Sequence, residues 1–260
     1  MNGRVLQSAG LALRMLPPRN DSRFLPAPSD YEDALSAIQR LRGALYVADG
    51  AIRSSTLDPK GRHQCEDDHL SYHLALWNGE VQGCARVRLH PPHKPAQDYR
   101  VHELIDRMHP RPSAEYRVAL QEFISQSEKR GYRLGEVGGW AVSKSHQASR
   151  AAMALPLAGW SFSRICGKQI WIASATERNR SAEMLRRIGG WPLKLGGADL
   201  PPFFDSVYNC QMQLLCFCSD VLNPKFESAV AELQSLIELQ FAANENPCRG
   251  VLSYEPRTSL

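Results

Sequence analysis

The stretch Gly135-Glu136-Val137-Gly138-Gly139-Trp140-Ala141-Val142-Ser143 decides the fold of this chain. It belongs to a predicted strand over residues 133–142, yet two adjacent glycines lie in the strand's interior. Such a pair marks a β-bulge, or a close approach by another backbone or a ligand. A polar turn and a helix follow, and the free N–H groups at the start of a helix favour anions. The pattern fits equally a bent strand leading to a ligand site and a plain glycine bulge packed against Trp140.

Hydrophobic spacing around this strand predicts an α+β chain with a mixed sheet. Asn78-Gly79 between two apolar runs is the strongest short hairpin signal. A strand–helix–strand unit in the second half makes strands 133–142 and 169–173 parallel neighbours, and we expect them to separate near Trp140. The predicted elements are helix 30–47, strands 70–77 and 81–89, helices 101–108 and 114–131, strand 133–142, a helix ending at 166, strand 169–173, helix 179–188, strand 208–218 and a C-terminal helix.

The composition excludes several classes of protein. Of the 260 residues, 43% are hydrophobic, which is enough to bury a core. The net charge of +4 comes from scattered basic residues without a dense run, so we expect no nucleic-acid partner. No apolar run approaches the ~18 residues that a membrane span needs. Seven dispersed cysteines, an odd number, favour a reducing compartment. We therefore expect a cytoplasmic protein.

Three segments of the second half carry a family resemblance. They are residues 136–142 (EVGGWAV), 173–176 (ASAT) and 184–190 (MLRRIGG). Together they are similar to the acyl-thioester-binding half of the GNAT superfamily. Within that superfamily the chain most resembles the N-acyl amino acid synthases, relatives of the acyl-homoserine-lactone (autoinducer) synthases.

Further segments extend the resemblance over about residues 31–219. Residues 73–76 (HLAL) and 83–86 (GCAR) are similar to the hairpin of both synthase groups, and residues 201–205 (PPFFD) with 208–212 (YNCQM) to the C-terminal signature. The resemblance implies a GNAT-like mixed sheet flanked by helices. We expect a flexible N-terminal arm over residues 1–29, the acyltransferase domain over 30–219, and a C-terminal helix and tail over 220–260. The implied activity is transfer of a long-chain acyl group to the amine of an amino acid.

One departure from the GNAT pattern concerns the donor. GNAT enzymes cradle the CoA pyrophosphate in a loop with a basic residue or Gln, two spacers, Gly, one spacer, then Gly or Ala. Here residues 147–152 read QASRAA, so Gln147 and Ser149 fit the loop but Arg150 replaces its first glycine. This favours acyl carrier protein over acyl-CoA as the thioester co-substrate, with no permanently bound cofactor. Seven basic residues could form a face that matches the acidic surface of the carrier protein, or they could be ordinary solvent-exposed charges. They are Lys144, Arg150, Arg164, Lys168, Arg178, Arg186 and Arg187.

Amide formation requires a free amine, a held thioester carbonyl and a donor for the developing oxyanion. Most α-amines are protonated at neutral pH, so a base must accept a proton. Glu136 is the best candidate, acting directly or through water, although a surface carboxylate at a strand position fits the pattern too. Backbone N–H groups at Trp140, Ala141 and Val142, freed by the bulge, can bind the oxyanion.

Two more residues follow from the resemblance. Arg86 lies in the hairpin, and it either is exposed or is buried with a carboxylate partner, for which Asp67, Asp68 and Glu136 are the candidates. Asn179 occupies the position of a residue that touches the pantetheine arm, and its alternative role is that of a helix N-cap.

Two rival functions remain open. One is a CoA-dependent acetyltransferase, and the other is an inactive GNAT fold that only binds a thioester or a protein. A group of His, Cys and Asp residues at 63–73 matches no zinc spacing, so we expect no metal site.

Overall fold

The computed structural model describes residue 6 and residues 9–19, 28–147 and 150–242; for residues 28, 29, 150, 241 and 242 it describes the backbone only. Its main feature is a mixed eight-stranded sheet with the order β1-β2-β3-β4-β5-β10-β6, in which β9 also pairs with β10. A separate two-stranded ribbon consists of β7 and β8. The strands are β1 Ala12–Leu16, β2 Tyr72–Trp77, β3 Val81–Leu89, β4 Arg133–Val142, β5 Gln169–Thr176, β6 Trp191–Pro192, β7 Lys194–Leu195, β8 Ala198–Asp199, β9 Phe203–Asp205 and β10 Cys210–Cys218.

Helices cover both faces of this sheet. In chain order they are α1 Pro28–Ala48, α2 Arg100–Asp106, α3 Pro110–Lys129, α4 Lys144–Gln147, α5 Ala154–Ile165, α6 Ser181–Ile188 and α7 Glu227–Ala242. Pro156 lies in the first turn of α5, where its missing N–H costs nothing.

The first strand corrects the expectation of a flexible N-terminal arm. Ala12–Leu16 form β1, which pairs antiparallel with β2 from Ala12 opposite Trp77 to Leu16 opposite His73. The outer edge of β1 is covered by Gln240 of α7. Its Oε1 accepts a hydrogen bond from the Met15 N–H at 3.0 Å, and its Nε2 donates to the Leu13 carbonyl at 3.0 Å. The amide side chain thus satisfies backbone groups that an open edge strand would expose.

Strands β4 and β5 are parallel neighbours, and they separate as predicted. Their register runs from Arg133 opposite Gln169 to Val137 opposite Ala173 and ends there, although both strands continue. Beyond that point β5 stays paired with β10, up to Thr176 opposite Met212. The sheet is therefore open between the second half of β4 and the second half of β5.

The glycine pair of β4 produces the bend. Cys84 faces Ala141 and Arg86 faces Gly138, so Gly139 and Trp140 both lie opposite Ala85 and form a bulge. Gly139 has φ +64°, and a Cβ there would lie 3.3 Å from Nη1 of Arg42 and 3.4 Å from the Cβ of Arg86. Both the left-handed backbone and the close approach require glycine.

A hydrophobic layer lies on each face of the sheet, and successive side chains of β5 point alternately into the two layers. Trp171 and Ala173 face the core built with α5 and α7, whereas Ile170 and Ile172 face the core built with α2 and α3. Helix α1 covers β2 and β3 on a third cluster. The opening between β4 and β5 joins the two sides of the sheet.

Candidate active site

A cavity of about 250 Å³ passes through the opening between β4 and β5. Its lining comes from both sides of the sheet and from α1, α2, α5 and α6. The cavity consists of two parts of different chemistry, which we call the apolar chamber and the polar chamber.

The apolar chamber lies on the side of α5 and α6. Its walls are aromatic and aliphatic, and they include Val137, Leu155, Trp160, Trp171, Leu185 and Phe217. The Trp160 ring meets the Phe217 ring edge to face with 5.8 Å between their centroids. This chamber can take a hydrocarbon group out of water, which is favourable in proportion to the apolar area buried.

The polar chamber lies on the side of α1 and α2. The lining includes Arg42, Tyr46, His63, Arg86, Arg100 and Glu136. The Tyr46 ring is tilted against His63, with centroids 5.6 Å apart, and meets the Tyr208 ring edge to face at 6.4 Å. Burial lowers the pKa of His63 to about 4, with Arg42 contributing, so the imidazole is neutral at pH 7. The chamber therefore combines fixed charges with an aromatic wall.

Glu136 is buried and lines the cavity. Its Oε1 accepts a hydrogen bond from the Val101 N–H at 2.9 Å, and its Oε2 lies 2.8 Å from Nε2 of His90. Burial raises the pKa of Glu136, but the hydrogen bond from His90 and those from the backbone N–H groups of Arg100 and Val101 outweigh it and lower the pKa overall. Glu136 is therefore a carboxylate at neutral pH. Each oxygen keeps a lone pair for a further donor.

His90 is a site residue that the sequence did not reveal. Lys94 Nζ donates to Nδ1 of His90 at 3.1 Å, so Nε2 carries the proton that is donated to Glu136. Burial lowers the pKa of His90, and burial also lowers that of Lys94. Arg88 faces Glu136 across β3 and β4, and His90 lies two residues further on the same face. Only the strand register, which the sequence does not show, would have indicated this contact.

Arg86 is buried, and its partner is Asp67 rather than Glu136. Arg86 Nη1 also lies 3.6 Å from Oδ1 of Asp68. Asp68 is fully buried and accepts hydrogen bonds from both Nη atoms of Arg42, at 3.2 and 2.7 Å. Three carboxylates were expected as possible partners of Arg86. The structure pairs Arg86 with Asp67 and Asp68 and not with Glu136. Arg42, a second buried cation of this network, was not predicted.

The residues expected to bind the thioester are partly brought together. Trp140 and Asn179 line the cavity, whereas the side chains of Ala141 and Val142 are buried in the cores. Gln147 is exposed, and its Nε2 donates to the Val142 carbonyl at 3.0 Å. Ser149 and the side chain of Arg150 lie outside the described residues.

Asn179 is not the N-cap of the next helix, since α6 begins at Ser181 with Arg180 in the cap position. Its Nδ2 instead donates to Oδ2 of Asp49 at 3.0 Å. Both side chains lie at the cavity wall.

Across the described residues, no cluster of three or more His, Cys, Asp or Glu side chains has the arrangement of a metal site. Of the helices that the structure describes, none combines the length and apolar character of a membrane span.

Solved structures resemble this chain over most of its length. The CoA-dependent acyl-homoserine lactone synthase BjaI is 17% identical, with a TM-score of 0.53 over 88% of this chain and 89% of BjaI. The CoA-dependent acyl-homoserine lactone synthase MesI is 14% identical, with a TM-score of 0.52 over 90% and 95%. FeeM, an N-acyl amino acid synthase from uncultured soil microbes, is 15% identical, with a TM-score of 0.49 over 81% and 91%.

No family model matches the sequence, and no curated protein matches it. The likeness to BjaI and MesI confirms the fold class: the chain has the GNAT-like mixed sheet of these synthases.

Proposed function

We propose that the protein is an N-acyltransferase that moves an acyl group from a carrier thioester to the amine of an amino acid. The observation that carries the proposal is the cavity through the opening between β4 and β5. It joins an apolar chamber to a polar chamber, with Glu136 in the polar lining and the bulge of β4 between the two. An acyl chain in the first chamber and an amine in the second meet at the bulge.

In the proposed reaction, Glu136 accepts a proton from the ammonium group of the acceptor, directly or through water. The free amine attacks the thioester carbonyl, and the oxyanion that forms takes hydrogen bonds from backbone N–H groups. Ala141 and Val142 are in register with β3, whereas Gly139 and Trp140 are not, so the N–H of Trp140 is the first candidate donor. The C–S bond breaks, the thiolate takes up the second proton that the nitrogen loses, and Glu136 releases the first to solvent. The products are an amide and a free thiol.

The lining of the apolar chamber supports an acyl group longer than acetyl. An acetyl group carries one methyl, yet three aromatic rings, those of Trp160, Trp171 and Phe217, line the chamber. Burying a longer chain there stabilises the complex by about 0.8 kcal/mol per CH₂. This favours a medium or long acyl chain over the acetyltransferase alternative.

Glu136 also separates the proposal from an inactive binding module. A module that only binds needs no ionised carboxylate at the point where the two chambers meet. Here Glu136 is held in place by His90 and the Val101 N–H and remains at the cavity wall.

For the donor, we favour acyl carrier protein because Arg150 replaces the first glycine of the phosphate loop. Acyl-CoA is the second candidate, since BjaI and MesI, which share the fold, are described as CoA-dependent. Three cations of the expected basic face have partners within the chain: Arg164 pairs with Glu227, Arg186 bonds to Gln213, and Arg178 bonds to backbone carbonyls. Lys144, Lys168 and Arg187 are exposed and remain for docking.

Mass spectrometry of lipid extracts from a host that overexpresses the protein tests the function. New N-acyl amino acids should appear with the native protein and not with the Glu136→Gln variant, and their masses name both substrates. Rates with acylated carrier protein and acyl-CoA, each at low and high salt, test the donor. Exposed charge pairs are screened beyond about 8–10 Å, so a carrier-protein reaction should slow with salt. Equal, salt-independent rates with both donors would refute the proposal that acyl carrier protein is the preferred donor.

A further inference from the structure

The charges of the polar chamber are arranged around two carboxylates and three arginines. Asp68 pairs with Arg42 at 2.7 Å, and Asp67 pairs with both Arg86 and Arg100. Arg100 reaches Asp67 only through Nη1, at 3.2 Å, and its side chain is 36% exposed. Among the described ion pairs, these three guanidinium groups thus share two negative charges.

Arg100 is the member of this group that is open to the cavity. Arg42 is 1% exposed and Arg86 8%, and each is held by a carboxylate, Arg42 by both of its Nη atoms. Glu103, one helical turn from Arg100, lines the same cavity but is exposed and makes no ion pair with it among the described contacts. A guanidinium carries five N–H donors in a planar fork, so Arg100 keeps donors for a ligand.

A further negative charge of the chamber belongs to Glu136, which lies next to the backbone of Arg100. The N–H of Val101 bonds to Glu136 Oε1 at 2.9 Å, and the backbone of Arg100 also donates to this carboxylate. Glu136 and Arg100 therefore both line the cavity, and the Glu136 carboxylate contacts the backbone from which the Arg100 side chain extends. An α-amino acid carries its ammonium and its carboxylate on the same carbon atom, so its two charges match these two groups in sign.

We propose that Arg100 binds the carboxylate of the acceptor, so that the acceptor class is an α-amino acid and not a simple amine. This inference rests on the proposed function, because it identifies the acceptor of that same site. With the ammonium beside Glu136 and the carboxylate on Arg100, each charge of the zwitterion has a partner. Arg–carboxylate pairs are frequently bidentate, which adds geometric specificity to the charge attraction.

A matched control lies at the C-cap of the same helix. Arg107 also lines the cavity, but Nη2 of Arg107 lies 3.1 Å from the buried Asp205, so its charge is already paired. Arg107→Gln and Arg100→Gln remove the same group from the two ends of α2, one from a paired and one from an open position.

The test measures binding and needs no turnover. Isothermal titration with N-decanoylglycine and with its methyl ester compares a product that has the carboxylate with one that lacks it. Glycine is the smallest acceptor and makes no assumption about the acceptor's side chain. The native protein should bind the acid about 10- to 100-fold more tightly than the ester, as expected for a hydrogen-bonded charge. Arg100→Gln should remove this preference, whereas Arg100→Lys should keep part of it and Arg107→Gln most of it.

Several outcomes overturn the inference. They are equal binding of acid and ester by the native protein, no binding of either ligand, or a preference that survives in folded Arg100→Gln. Competition by 4′-phosphopantetheine but not by pantetheine, without discrimination between acid and ester, would assign Arg100 to the donor's phosphate instead. If Arg100→Gln melts early, the inference is still tested by the Arg100→Lys variant and by the ratio of the affinities of the native protein for acid and ester. A protein that discriminates acid from ester but forms no N-acyl product would sink the proposed function and leave this inference standing.

Discussion

Nε2 of His90 lies 2.8 Å from Oε2 of Glu136, and both side chains are buried. The imidazole donates this hydrogen bond as a neutral group because Lys94 occupies its other nitrogen. Glu136 thus keeps its negative charge next to a neutral donor, not next to the Arg86 guanidinium. A carboxylate without a bound cation remains free to attract the ammonium of a substrate.

We expect Glu136→Gln to lower the rate of acyl transfer by about 10²–10⁴-fold, the usual loss for a general base. Glutamine keeps the shape and the acceptor for the Val101 N–H but removes the charge and the basicity. The measurement is kcat with the acyl donor and the amino acid identified by mass spectrometry. Because Glu136 makes no ion pair with an arginine or a lysine among the described contacts, the melting temperature should change little compared with the rate.

Glu103→Gln is the matched control, since this exposed carboxylate lines the same cavity. It should keep its rate within a few-fold of the native protein. A folded Glu136→Gln variant with undiminished turnover at every pH would exclude Glu136 from the mechanism.

A second prediction concerns the stability of the protein in acid. His73 is fully buried and its Nε2 donates to the Asp68 carbonyl at 2.9 Å, and burial lowers its pKa from 6.5 to about 4. The unfolded chain therefore binds a proton between pH 6.5 and 4 that the folded chain does not. Stability is at its full value above pH 6.5 and is lost as the pH falls through this window. At pH 5 the loss is about 2 kcal/mol for His73.

Urea unfolding at pH 7.5 and pH 5 measures this effect. His73→Gln keeps a donor for the Asp68 carbonyl but does not titrate, so the variant should lose less stability than the native protein over the same interval. It should still lose some, because burial also lowers the pKa of His63 to about 4. An identical loss in native protein and variant would show that His73 does not titrate differently on folding.

The buried ion pairs give a third prediction. Asp68 accepts hydrogen bonds from Arg42, from Gln39 Nε2 at 2.9 Å and from the Cys65 N–H at 2.9 Å. Asp68→Asn leaves the Arg42 charge buried without a partner, which typically costs about 3–5 kcal/mol. Glu183→Gln breaks the exposed, solvent-screened pair with Arg180 and should cost much less stability than Asp68→Asn. Chemical unfolding of both variants measures the two losses of stability. Similar small losses in both variants would contradict the prediction.

Much of the fold could be predicted from the sequence because the turn residues and hydrophobic spacing favour the same elements that form in the folded protein. Strands Val81–Leu89 and Arg133–Val142 have the predicted bounds, since Asn78-Gly79 and the turn after Val142 end them locally. Strand β5 extends past Ala173 to Thr176 because β10 continues to pair with it, which no local pattern shows. Strand β1 was missed for the same reason: its stability comes from β2 and from Gln240, which lies 225 residues from Met15 along the chain.

The site was predictable only in part. The glycine pair indicated the bulge, and the bulge located Glu136 and Trp140 at the cavity. The contacts of Glu136 with His90 and Val101 connect residues 46 and 35 positions apart, and those of Arg42 with Asp68 connect residues 26 apart. Such partners depend on strand register and helix placement, so residue types and local spacing do not reveal them.

The last prediction concerns the length of the acyl chain. Gly159 lies on the face of α5 that lines the cavity, and a Cβ there would have no atom within 4 Å. Gly159→Leu adds four carbon atoms to open space beside Trp160, so it should shorten the chain that the apolar chamber accepts. The ratio of kcat/KM for long to short acyl donors should fall by roughly 10-fold or more, since each methylene in an apolar pocket is worth about 10- to 200-fold.

Gly159→Ala is the matched control for this change. It replaces the same helical glycine and should stabilise α5 by about 0.5–1 kcal/mol through helix propensity alone. With one added carbon it should leave the chain-length profile close to that of the native protein. Rates measured with a series of acyl donors of increasing length separate the outcomes. An unchanged profile in Gly159→Leu would show that the acyl chain lies elsewhere, and an equal loss at all lengths would place Gly159 beside the thioester arm instead.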